Sequence, residues 1–176
     1  MTSASASDEP YFAAGPASGI ELLDAPAAPT VVARAEGLPM SRIRELFDST
    51  FSALFPALAE RGIRPVGPAF SLYRRMPSET VDVEVGIPVA SALDAEIRTA
   101  SGVVLVPSAL PAGRVARATH LGSYDGLADA WGSLMTGLAD KGVAPGLPFW
   151  EIYVTEPTPD ATPADMRTDL YILVGD

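Results

Sequence analysis

The sequence predicts an α+β domain made of two tandem β-α-β-β modules with pseudo-twofold symmetry, antiparallel sheets, helices on one face and a ligand cleft on the other. Three observations predict it. Short segments recur in the same order about half a chain apart. Each copy carries one amphipathic helical stripe, and each stripe is followed by two runs of strand-like alternation.

The repeat is read from four matches. Val32-Ala33-Arg34-Ala35 returns as Val115-Ala116-Arg117-Ala118, and Ala59-Glu60-Arg61-Gly62 returns in kind as Ala139-Asp140-Lys141-Gly142. Tyr73 matches Tyr153, 80 residues on. Asp82, opening Asp-Val-Glu-Val, matches Asp169, opening Asp-Leu-Tyr-Ile. Small drifts in offset are what loop insertions produce.

Residues 1–18 are rich in Ser, Ala, Gly and Pro and read as a mobile tail. The folded domain is expected over 19–176, with module one at about 19–90 and module two at about 102–176. Apolar runs at 20–23 and 103–106 lead into extended stretches at 31–35 and 115–119. In module one, Ile43, Leu46, Phe47, Phe51, Leu54, Phe55 and Leu58 form a helical stripe, with Ser41 as N-cap and Pro56 expected to kink or end the helix. In module two the stripe is Leu127, Trp131, Leu134, Met135 and Leu138. Gly62 and Gly142 stop the two helices. Strands at 69–74 and 81–89 pair across Met76-Pro77-Ser78. Those at 149–155 and 168–174 pair across a Pro-rich loop. The valines of Val81-Asp82-Val83-Glu84-Val85 are expected to face the helix, and Asp82 and Glu84 to face away.

Composition narrows the function. The chain has 176 residues, 48% hydrophobic, and a formal net charge of −10. That charge repels phosphate backbones and anionic membranes and attracts cations. With no cysteine and a single histidine, thiolate and multi-histidine metal sites are excluded; neither metal nor cofactor is expected. No stretch has the length and apolarity of a membrane helix, and residues 1–7 do not read as a signal peptide, so a cytoplasmic protein is expected.

Glu151 is the leading site residue. Alternation puts Phe149, Glu151 and Tyr153 on one side of their strand and Trp150, Ile152 and Val154 on the other, helix-facing side. A carboxylate in so apolar a strand costs desolvation unless it is paired or ligand-facing. Its repeat equivalent is Ser71, so the fold does not require an acid there. Glu84 and its counterpart Tyr171 are a second asymmetric pair, whereas Asp82 and Asp169 match and read as structural. Tyr73, Tyr153, Tyr171, Phe149 and Phe70 supply candidate aromatic walls for a flat cation. Trp131 is placed first in the core by its stripe and is kept among the candidate contacts, and Trp150 is read as core. His120, in Thr119-His120-Leu121-Gly122-Ser123-Tyr124, reads as a loop-bonding residue with a possible ligand contact. No nucleophile elbow, phosphate loop or dinucleotide fingerprint is present.

Four segments stand out together: Leu110-Pro111-Ala112-Gly113-Arg114, Thr119-His120-Leu121-Gly122-Ser123-Tyr124-Asp125, Trp150-Glu151-Ile152-Tyr153 and Asp82-Val83-Glu84-Val85-Gly86-Ile87-Pro88-Val89. Jointly they resemble the GyrI-like small-molecule-binding domain, also the effector-binding domain of BmrR-type multidrug-responsive regulators. The resemblance spans about residues 19–175. It implies a central cleft in which Glu151 contacts cationic or aromatic drugs, walled by Tyr153, Phe149 and the first module. The expected function is a stand-alone binding or sequestering protein for bulky hydrophobic cations. One alternative implied by the resemblance is a hydrolase opening cyclopropyl rings of toxic natural products, with Glu151 first and Glu84 and Tyr153 next as catalytic candidates. Another is an effector-sensing or gyrase-interacting module. Direct nucleic-acid binding is not expected, because the tail has no room for a helix-turn-helix.

Overall fold

A computed structural model describes Phe12, residues 15–155 and residues 162–175. Nine strands build one antiparallel sheet: β1 (Glu21–Ala25), β2 (Ala28–Pro39), β3 (Phe70–Tyr73), β4 (Thr80–Pro88), β5 (Ile97–Arg98), β6 (Val104–Leu110), β7 (Gly113–Leu121), β8 (Pro145–Tyr153) and β9 (Arg167–Val174). Two helices cross it, α1 (Ile43–Glu60) and α2 (Leu127–Asp140). The strand order is β1-β7-β9-β8-β3-β4-β2-β6-β5.

Apart from the short edge strand β5, that order reads as two equivalent halves meeting at β3 and β8. Ser71 pairs with Glu151 across the junction, so the pseudo-twofold axis passes through this pair. The leading strands are exchanged. β1 belongs to the first module but pairs with β7, and β6 leads the second module but pairs with β2.

The helices form where the apolar stripes lie. Leu54, Ala57 and Leu58 of α1 pack with Val31, Ile87 and Leu105. Leu134 and Leu138 of α2 belong to one buried cluster with Ala116, Leu170 and Ile172, which the valines of β4 continue under α1. Full burial of one such side chain contributes about 1.5–3 kcal/mol. The left-handed Gly62 (φ 65°) and Gly142 (φ 69°) follow the two helices at equivalent places. There Ile63 N donates to Leu58 O at 3.0 Å and Val143 N to Leu138 O at 2.9 Å, which caps the orphan carbonyls.

Several expectations are corrected. Helix α1 continues through Pro56 to Glu60, and Ser41 lies in a 3-10 turn (Met40–Arg42) rather than capping the helix. The valines of β4 do face the helices. Phe149, however, also packs on the helix-bearing face, so Glu151 and Tyr153 share that face. Trp150 is core, as read, but on the opposite, back face, stacked on Tyr171 with ring centroids 5.6 Å apart. The back face is apolar because it has its own cover. Phe12 is buried there, its ring over Gly67, where a Cβ would lie 2.3 Å from it. Residues 1–11, 13 and 14 of the expected tail lie outside the described residues. In the rest, Ala17 N donates to Thr119 Oγ1 at 2.7 Å and Gly15 O accepts from Arg117, so this part is docked on the sheet rather than loose.

Candidate functional site

The two helices leave a gap over the β3–β8 junction, and a hollow of about 380 Å³ opens there on the helix-bearing face. Tyr73, Phe149, Glu151 and Ile172 come from the sheet, and Leu127, Ala128, Trp131 and Met135 from α2. Met40, Met76 and Pro77 close the side near the start of α1 and the β3–β4 turn. The cleft therefore lies on the helix-bearing face, beside α2, rather than on the face away from the helices.

Glu151 is 9% exposed. Trp131 Nε1 donates to its Oε1 at 2.8 Å, and the Tyr153 hydroxyl donates to its Oε2 at 2.7 Å. Among the described residues no cation pairs with it. Ser71 and Tyr153 hydroxyls lie 2.7 Å apart, and Ser71 and Tyr73 hydroxyls 3.3 Å apart; since Tyr153 gives its proton to Glu151, the single Ser71 proton serves one of the two tyrosine oxygens. The axis pair is thus one polar chain from Tyr73 through Ser71 and Tyr153 to Glu151. Burial pushes the Tyr73 hydroxyl up to about 12, with the Glu151 charge adding to it. The same causes, burial first, hold Tyr153 well above the ordinary phenol range. Both phenols stay neutral at physiological pH.

The walls are aromatic. Tyr73 and Phe149 stack at 4.9 Å with a 14° interplanar angle, and Trp131 meets Phe149 edge-on at 4.9 Å. On the other side of Glu151, Phe47 and Tyr124 approach Tyr153 edge-on at 6.0 and 5.7 Å.

Five of the candidate residues thus converge: Glu151, Tyr153, Phe149, Tyr73 and Trp131. Glu84, Tyr171 and Phe70 do not join them. Register decides this. Glu84 is opposite Leu72, Leu72 opposite Trp150, and Trp150 opposite Tyr171, so all four share the back face. Phe70 is opposite Ile152 and shares it too. Glu84, 2% exposed, is held by Arg74, Arg34 and Ser108, a structural ion cluster. Asp169 is likewise clamped by Arg117 at 3.0 Å and Arg167 at 2.8 Å. His120 sits at the end of β7, its Nε2 2.8 Å from Ser123 O, outside the residues lining the hollow. Met40, Met76 and Tyr124 were missed by the sequence reading. Tyr124 stands in the family-like segment and Met76 in the turn between two strands, but nothing in the local pattern marks either, or Met40, as a site residue.

Among the described residues no group of three or more His, Cys, Asp or Glu side chains is placed to hold a metal. No helix among them is long and apolar enough to cross a membrane.

An α+β sheet with an aromatic hollow over its symmetric seam defines a small-molecule-binding domain. The family model described as the GyrI-like small molecule binding domain matches residues 20–174, and the chain belongs to that family. No curated protein matches the sequence. The C-terminal domain of EcmrR is similar in fold, with a TM-score of 0.71 at 19% identity over 89% of this chain and 97% of that one. SAV2435 bound to tetraphenylphosphonium gives 0.63 at 10% identity, covering 90% and 94%. A hydrolase from Listeria innocua gives 0.61 at 12% identity, covering 92% and 94%.

Proposed function

We propose that the domain binds bulky, apolar, aromatic cations in the hollow beside Glu151. One observation carries this reading. Three carboxylates among the described residues are buried, Glu84, Glu151 and Asp169, and two are matched by arginines. Glu151 has neutral donors only among the described residues, and it has an adjoining hollow. Burying a carboxylate without a counter-charge costs several kcal/mol, and a bound cation relieves that cost. The faces of Tyr73, Phe149 and Trp131 add cation–π attraction of about 0.5–2 kcal/mol each where they meet the charge. A hollow of about 380 Å³ suits a small drug-sized body. The tetraphenylphosphonium held by SAV2435 is a ligand of this kind, and the acidic net charge of −10 favours its approach. A cytoplasmic site of action fits the cysteine-free chain.

The test is a titration with rhodamine 6G and a neutral dye of similar size, on the wild type and on Glu151→Gln. The cation should lose about tenfold or more in affinity, roughly 1.4 kcal/mol, and the neutral dye about twofold or less. Equal losses would remove the electrostatic part of the reading.

A hydrolase reading rests on the Glu151–Tyr153 pair, a carboxylate at the hollow hydrogen-bonded to a phenol behind it. Glu84 has no part in it, being on the back face. Incubation with a cyclopropyl-bearing alkylator separates the two. Product beyond one equivalent supports hydrolysis, and stoichiometric capture supports binding.

A further inference from the structure

Four methionines stand among the described residues, and three of them, Met40, Met76 and Met135, line the one hollow at Glu151. Met76 is 60% exposed and Met40 is 37% exposed, so both thioethers meet solvent at the entrance. They belong to one local unit, because Met40 N donates to Glu79 O at 3.0 Å and ties the start of α1 to the β3–β4 turn. Met135 is set on α2 along the same wall. The fourth, Met166, precedes β9 and does not line the hollow. The chain has no cysteine, so among the described residues these thioethers are the only sulfur redox groups.

We infer that Met40 and Met76 form an oxidation site at the entrance of the hollow, whose sulfoxides lower its affinity for apolar aromatic cations. The inference rests on the binding reading above. Hydrogen peroxide is the oxidant. A sulfur lone pair takes one peroxide oxygen, the O–O bond breaks, and the other oxygen leaves as water. Sulfur gives up two electrons and peroxide accepts them. The product turns a soft, polarizable contact into a hard dipole that prefers water. An aryl cation without N–H or O–H groups has no hydrogen bond to offer the new oxygen, so ligand burial strips it of water uncompensated. Since both residues sit where a ligand must enter, the change acts on binding rather than on the core.

The experiment treats the full chain with peroxide, maps sulfoxides by mass spectrometry and titrates tetramethylrhodamine methyl ester, a cationic dye without N–H or O–H groups, before and after. Met76 and Met40 should oxidise before Met166, and affinity should fall about fivefold or more. Methionine sulfoxide reductases of both epimer specificities should restore it. The variant carrying Met40→Leu and Met76→Leu, whatever its starting affinity, should show an oxidised-to-reduced affinity ratio near one, while Met166→Leu should keep the wild-type loss. An unchanged affinity after oxidation of Met40 and Met76, or the same loss in the double variant, overturns the inference and leaves the binding reading standing. Failure of the untreated protein to bind the dye at all overturns both.

Discussion

Ser71 and Glu151 are direct partners across the junction of β3 and β8, and the 80-residue offset of the repeat carries one onto the other. Two equivalent positions meet at the axis, and only one is charged. Two carboxylates there would repel one another across a buried seam. Ser71 instead offers a hydroxyl that holds Tyr153, and Tyr153 holds Glu151. Symmetry places the site, and its breakage makes the site acidic.

Trp131 has two tasks, as wall and as donor to Glu151. Trp131→Phe should weaken cationic and neutral aromatic dyes alike, by about 1–2 kcal/mol or roughly 5- to 30-fold, through lost contact area. Parallel titrations with both dyes check this. The non-selective loss distinguishes it from the charge-selective loss expected for Glu151→Gln.

Glu84 is a buried acid of another kind. Glu84→Gln leaves Arg74 and Arg34 without their shared counter-charge. Those arginines are about half exposed, so solvent screens part of the loss, and the expected destabilisation is about 1–3 kcal/mol. Urea unfolding reads it. Dye affinity of the folded variant should stay within about twofold, since the residue lies on the far face of the sheet.

The buried tyrosines set an alkaline limit. Tyr73 and Tyr171 are each pushed up to about 12, chiefly by burial, and Tyr153 is also raised. A phenol with a raised native value favours the fold while neutral. Its contribution is complete below about pH 10, the unfolded value, and is lost as pH rises towards 12. For Tyr73 this is about 2–3 kcal/mol. Near-UV absorbance titration should show these phenols ionising late and together with loss of structure. Ionisation near 10 with the fold intact would contradict it.

Gly86 lets β4 pass close to β2. A Cβ there would lie 1.9 Å from the backbone oxygen of Val31, which cannot move without breaking the pairing of the two strands. Gly86→Ala should therefore cost roughly 3 kcal/mol or more. Thermal unfolding measures the loss. Gly102→Ala, in open space though at φ 89°, should cost only about 1 kcal/mol from backbone strain.

The architecture could be read from the repeat because each copy carries its own helical stripe and strand alternation. Parity within each strand was legible as well: Phe149, Glu151 and Tyr153 do share a side, as do the valines of β4. What one strand cannot reveal is which side it shares with the next, because that depends on register. Parity and the asymmetry of the repeat group Glu84 with Glu151, and the pairing through Leu72 and Trp150 separates them. Alternation sets Trp150, Ile152 and Val154 together but does not say which face the helices cover. Both faces are apolar, since Phe12 and the strands' own side chains fill the back. Methionines of the entrance come from the start of α1, a turn and α2, and only folding brings them together.

The exchange of leading strands has a practical consequence. Because β1 completes the second half of the sheet and β6 the first, a cut in the connector after residue 90 would leave each fragment with an open edge that only its mate can fill. The hollow itself would be divided at the seam between Ser71 and Glu151. Such fragments are suited to reconstitution as a split sensor, in which a bound dye reports that the two pieces have found each other.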